Sequence, residues 1–151
     1  MAPDTDAFSD FFADAEPRLR RALVAAYGVE RGREAAAEAL AYGWEHWPRV
    51  RRMDNPLGYL YRVGQSRSRA RKRRFLVGRA GVEDVWVEPG LPAALAHLTE
   101  RQRVATILVH GFGWTLREVA ELIGVSVTSV QNHLERGLAA LRSALEVHED
   151  A

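Results

Sequence analysis

Between residues 76 and 91 the helical period that governs the rest of this chain stops. The segment LVGRAGVEDVWVEPGL holds Gly78, Gly81, Pro89 and Gly90 among Glu83, Asp84 and Glu88, and reads as a linker. Such a break in 151 residues leaves two short pieces, each of which must bury its own apolar stripe. The expected fold is therefore all-α: two small helical domains, 1–76 and 92–151, joined by a flexible linker over 77–91. Val82, Val85 and Val87 alternate loosely, as a short strand would, but a lone strand has nothing to pair with. Fully extended at about 3.3 Å per residue, the break spans roughly 50 Å.

On either side the spacing is helical. Phe8, Phe11, Phe12, Leu19, Leu23 and Tyr27 recur every three to four residues, with Gly28 as the stop. Arg33 to Trp47 forms a second helix, with Ala36, Leu40, Trp44 and Trp47 on one face. The stretch WPRVRRMDNP is too short and polar for an element. Asn55–Pro56 then opens a third helix to about Phe75, since Pro at a first helical position loses no bond. In the last third, Thr99–Gln102 and Thr115–Glu118 both fit the capping box, in which Thr and the residue three later satisfy free amides. Gly111-Phe-Gly113 separates the helices they start and follows no strand, so it is a connector and not a phosphate loop.

Composition closes several routes to function. Without Cys the chain can form neither disulfides nor a thiolate metal site, which suits a reducing cytoplasm. His46, His97, His110, His133 and His148 are scattered, with no pair at metal-ligand spacing, so neither a metal nor another cofactor is expected. The apolar runs are too short for a membrane span, and the acidic start is unlike a signal peptide. No nucleophile–base pair, paired carboxylates or phosphate loop stands at usable spacing, which argues against an enzyme.

A net charge of +1 hides a sharp segregation. Residues 4–16 carry five acids and no base, whereas residues 49–74 carry ten bases against Asp54 alone. A polyanion-binding stripe needs that kind of sorting.

The most informative stretch is Thr115 to Leu141. A helix-turn-helix needs a small residue where its helices cross, a turn residue that tolerates positive φ, and buried aliphatics on both sides. Ala120, Gly124, and the set Val119, Ile123, Val125, Val130 and Leu134 meet those needs, and Ser126 stands at the N-cap of the second helix. Ser126, Thr128, Ser129, Gln131, Asn132, His133 and Arg136 are then the candidates for contact with base edges and phosphates in a major groove. The bases from Thr115 onward are only Arg117, Arg136 and Arg142, outnumbered by acids, so this half should bind duplex weakly alone.

The second constellation is the basic helix Arg62 to Arg74 and the loop before it. Tyr59, Tyr61, Trp44 and Trp47 lie close by in sequence, and aromatics beside a basic surface suit unpaired bases. Trp44 and Tyr61 fit core positions as well.

The order of these parts resembles a sigma factor of the extracytoplasmic-function group, which keeps only the second and fourth conserved regions of larger sigma factors. The first half is similar through Trp44 and DNPLGYLYRVGQSRSRARKRR, the second through LPAALAHLTERQRVATILVHGFGWTLREVAELIGVSVTSVQNHLERGLAALR. LuxR-type regulators share much of that second pattern. The resemblance implies that the chain binds RNA polymerase core and promoter DNA. The loop and helix supplying Arg51, Arg52, Met53, Asp54, Asn55, Tyr59, Arg62, Gln65, Ser66, Arg69 and Arg73 would capture a flipped base and hold the melted strand of a downstream element. The helix from Ser126 would read the upstream element. Glu34, Glu38 and Trp44 would dock on polymerase, and an anti-sigma factor is implied as a further partner. Some positions depart from the family: Ala35 and Ala37 replace the usual Leu and Gln of the docking helix, Gln65 replaces Asn, and Arg69 stands where an acid is common. Two other readings remain, a stand-alone DNA-binding regulator and a sigma-like interaction protein that does not initiate transcription.

Overall fold

The computed structural model describes residues 2–72 and 90–149. The chain divides into two compact units, Met1–Ala80 and Gly81–Ala151. All regular structure among the described residues is helical. Most of the linker, the loosely alternating Val82–Val87 and Arg73 lie outside the described residues.

In the first unit, α1 (Ala2–Tyr27), α2 (Val29–Glu45) and α4 (Pro56–Lys72) pack on one another, with the single turn of α3 (Trp47–Val50) against α1 and α2. Leu19, Leu23, Ala35, Ala39, Leu60 and Tyr61 make the core. Gly28, at φ 88°, turns the chain between the first two helices, a geometry that a side chain would strain. Close approach is the other device. A Cβ on Gly32 would collide with the backbone of Val24, and one on Gly64 would sit 2.8 Å from Leu23 Cδ1.

The stretch WPRVRRMDNP does contain an element, contrary to the sequence expectation. Pro48 lies in the first turn of α3, where its missing N–H costs nothing, and Trp47 and Val50 are both buried. Those anchors are three positions apart, so one helical turn puts both on the core side. Trp44 and Tyr61 also part company: Tyr61 is buried at 1% exposure, whereas Trp44 is 50% exposed. Trp47 lies under the rings of Phe8 and Phe11, at 5.4 and 5.2 Å, and offers no face for stacking.

In the second unit, α5 (Leu91–His97), α6 (Glu100–Thr106) and α7 (Leu116–Ile123) pack on the long α8 (Val127–Glu149). Both capping boxes form. Thr99 Oγ1 accepts from Gln102 N while Gln102 Oε1 accepts from Thr99 N, each at 3.2 Å, and Thr115 and Glu118 do the same at 3.1 Å. Removing the second box with Thr115→Ala is expected to cost about 1 kcal/mol, read as a fall of about 5 °C in the melting of this unit. The helix of α6 widens at its end into a π turn, Ile107–Gly111, which the apolar spacing did not reveal. Gly137 is buried where α8 crosses α6: a Cβ there would lie 2.6 Å from Thr106 Oγ1.

Candidate nucleic-acid interface

The second unit's site is built around Gly124. Its φ of 73° and ψ of 37° place it in the left-handed region, where its N–H donates to Ala120 O at 2.9 Å and closes α7. Ser126 Oγ then accepts from Ser129 N at 3.1 Å, which starts α8. Val119, Leu122 and Val130 are buried between the two helices. The opposite face of α8 presents Thr128, Gln131, Asn132, Glu135 and Arg136 to solvent, with Ser129 and His133 half-buried beside them. Gln131 Nε2 donates weakly to Glu135 Oε1 at 3.4 Å, so its amide is held in line with the helix without being locked. This arrangement can offer amide and hydroxyl groups to base edges and Arg136 to a phosphate.

His133 lies close enough to other cations to feel them. Its pKa is lowered first by burial, then by Arg101 on α6 and Arg136 on α8. The unfolded chain therefore takes up a proton before the folded unit does as pH falls. His133 leaves stability intact above its ordinary pKa of 6.5 and subtracts from it below. Melting of the second unit followed from pH 7.5 down to about 5.5 should decline, and His133→Gln should flatten that decline.

In the first unit the loop after α3 is exposed at Arg51, Arg52, Asp54 and Asn55, with Met53 half-buried. It is not loosely held. Asn55 Oδ1 accepts from Gly58 N at 3.0 Å and caps α4, and Met53 N donates to Val50 O at 3.1 Å. Arg51 lies 6.0 Å from the centre of the Trp47 ring. On α4, Arg62, Ser66 and Arg69 are exposed and share the outer face, with Gln65 half-buried at its edge.

Beside this loop stands a cluster absent from the sequence reading. Arg49 Nη2 donates to Tyr42 Oη at 2.6 Å and to Tyr59 Oη at 3.2 Å, and the two hydroxyls are 3.2 Å apart. The His46 ring stacks on Tyr42 at 4.1 Å, and the Arg67 guanidinium lies over the same ring at 5.9 Å. The Tyr42 phenol is held below its ordinary pKa by the hydrogen bond from Tyr59, and further by Arg49 and Arg67, while Tyr59 is pushed up by that same bond. Tyr42 and His46 stand one helical turn apart, which the sequence does show. Their meeting with Tyr59 depends on how α2 and α4 pack, which it does not.

Glu34 and Glu38 are both engaged by Arg31, at 2.9 and 3.3 Å, and Arg31 Nε also donates to the buried Ser68 Oγ at 3.2 Å. Arg31 thus ties the acidic pair of α2 to α4. On the adjoining face of α2, Ala37, Leu40 and Trp44 line a shallow groove of about 480 Å³ with Phe8 and Phe12 of α1. Arg33, Glu16 and Arg20 also line it, and Glu16 pairs with Arg20 at 2.8 Å.

Residues 90–141 match the family described as sigma-70, region 4, and so take in the capping boxes, the Gly124 turn and the exposed face of α8. The likeness is to sigma-70 region 4, and it covers this segment alone. Among solved structures the whole chain is similar to the sigma factor RpoE of Bartonella quintana, determined in complex with the anti-sigma factor NepR. The identity is 21%, the TM-score is 0.64, and the match covers 93% of this chain and 98% of that one. At such an identity the likeness speaks for the fold, and it extends over both units. No curated protein matches the chain. No helix among the described residues is long and apolar enough to cross a membrane.

Proposed function

We propose that this chain binds RNA polymerase core and directs it to particular promoters. In this reading the module over 92–151 reads the upstream element, the module over 1–76 melts and holds the downstream element, and residues 77–91 connect the two. The observation that carries it is the exposed Gln131–Asn132–Arg136 face behind the Gly124 turn, inside the segment that matches region 4. The exposed loop Arg51–Asn55 and the outer face of α4, with Tyr59, Arg62, Gln65, Ser66 and Arg69, support the assignment of the downstream element. Arg73 belongs to the same run in the sequence.

Partners follow from this role. Promoter DNA is bound as duplex by the second module and as a separated strand by the first. An anti-sigma factor is a natural further partner, given that RpoE of Bartonella quintana was captured with one. Docking on polymerase uses two adjoining faces of α2, one bearing Glu34 and Glu38 and the other Trp44. A half-exposed Trp beside an apolar groove has the chemistry of an interface anchor. Trp44→Ala is expected to weaken the affinity of the full chain for core polymerase by about thirtyfold, equivalent to ~2 kcal/mol. Unchanged affinity after reversing the charge of both Glu34 and Glu38 would remove the acids from that surface.

The direct test is run-off transcription with core polymerase from a bacterium, on a promoter library, with and without the protein. New discrete start sites that depend on the chain establish the role and read out both promoter elements. A second reading, a sigma-like chain that occupies polymerase without initiating, draws on Arg31, which already engages both acids of the docking face. It predicts polymerase binding with no new transcripts.

A further inference from the structure

The Tyr42–Arg49–Tyr59–Arg67 cluster is rich in hydrogen-bond donors and short of acceptors. One phenol hydroxyl donates to the other, and Arg49 Nη2 supplies both oxygens. That leaves one hydroxyl proton and the remaining N–H groups of Arg49 directed elsewhere. Among the described residues no carboxylate bonds to Arg49, to Arg67 or to either hydroxyl. His46 adds no acceptor for them through Nδ1, which faces Tyr42 O at 3.0 Å and must donate to it. The cluster is therefore a set of donors and cations without an anion.

Its place on the fold is as informative as its chemistry. Arg49 lies in the α3 turn that runs directly into the exposed loop Arg51–Asn55, and Tyr59 lies in the first turn of α4, just after that loop. Arg67 stands about two turns further along α4, roughly 100° round the helix from Ser66 and on the side that meets the Tyr42 ring. The Arg49 and Arg67 side chains are exposed, and Tyr42, His46 and Tyr59 are half-buried. Three helices thus bring a guanidinium pair and a phenol pair to one edge, beside the loop assigned to the flipped base.

We propose that Tyr42, Arg49, Tyr59 and Arg67 form a clamp for a backbone phosphate of separated, single-stranded DNA. This inference rests on the reading of the first unit as the strand-holding module, and adds to it a phosphate subsite in which Tyr42, Arg49 and Arg67, which that reading does not use, join Tyr59. Arg49, steadied by the two phenols, presents its remaining N–H groups to the phosphate oxygens, and Arg67 contributes the second charge. The partly exposed rings favour an unpaired strand, because a duplex keeps its base faces stacked inside.

The experiment measures binding of a fluorescein-labelled oligodeoxythymidylate to the full chain across a salt series. The variants are Arg49→Gln/Arg67→Gln, Tyr42→Phe, and Arg62→Gln/Arg69→Gln on the outer face, each checked for unchanged melting. The edge double variant should lose about tenfold in affinity, and its salt slope should become shallower by about 0.7, the increment for one phosphate on a single strand. Tyr42→Phe should weaken binding less, in the same direction. Retained affinity and slope in the edge variant, with loss in the outer-face variant, would overturn the clamp and leave the strand-holding reading standing. A loss of affinity with no change of slope would also overturn it, because packing and not charge would then be responsible. No binding by the unaltered chain would bring down the strand-holding reading and the clamp together. Equal binding of a duplex, equally weakened in the edge variant, would overturn the assignment to a single strand.

Discussion

Replacing Gln131 and Asn132 together by Ala should reduce chain-dependent transcription from its own promoter about a hundredfold, with little effect on stability. Both side chains are exposed on the first turns of α8, and Asn132 is clear of the core that Val130 anchors. A well-placed amide contact to a base edge is worth about 1–3 kcal/mol of discrimination, so two such contacts give about thirtyfold at the low end and reach a hundredfold at about 1.4 kcal/mol each. The loss should fall on sequence preference. The salt dependence of promoter binding should stay put, whereas Arg136→Gln should leave the preference intact and make the slope shallower by about 0.9. Run-off transcription with the double variant, followed by binding in a salt series, separates the two effects. Transcription undiminished by the double substitution would remove the base-reading role from this face.

The second large effect concerns a buried glycine of the first unit. Gly32→Ala should destabilise the first unit by about 3 kcal/mol or more, at the upper end of what overpacking costs. By helix propensity the same change ought to gain about 1 kcal/mol, so the sign of the result decides the matter. The added carbon would run into the Val24 backbone and lie 2.7 Å from Leu23 C, and backbone cannot move aside as a side-chain tip can. Gly43→Ala is the comparison. Its nearest neighbours would be the two methyls of Leu60, at 3.1 and 3.3 Å, and a side-chain tip can shift by a few tenths of an ångström, so the effect should be small. Calorimetry on the two variants should give a fall of about 15 °C for the first and a few degrees at most for the second.

What the sequence disclosed and what it withheld divide by the range of the interaction. The two Thr capping boxes, the Gly124 turn, the Ser126 cap and the exposed face of α8 are each written within a few consecutive residues, and the structure has all of them. The α3 turn escaped because one turn has no period to detect; only the burial of Trp47 and Val50 holds it. The Tyr42–Arg49–Tyr59 contacts join residues 7 to 17 positions apart across three elements, and no local pattern marks them. Arg31 was equally hidden, because its bond to Ser68 spans 37 positions. Gly137 is a subtler case: a glycine inside a helix lowers helix propensity wherever it occurs, and only the nearness of Thr106 gives a reason for it.

The close approach at Gly32 bears on how the first unit can respond to load. A crossing made of backbone against backbone has no rotamers to redistribute, so it lacks the compliance of a contact between long side chains. In the proposed role, load taken at Trp44 or at Arg49 and Arg67 would meet a crossing of α1 and α2 with no side chain to yield, and the give would belong to the long side chains at the rim.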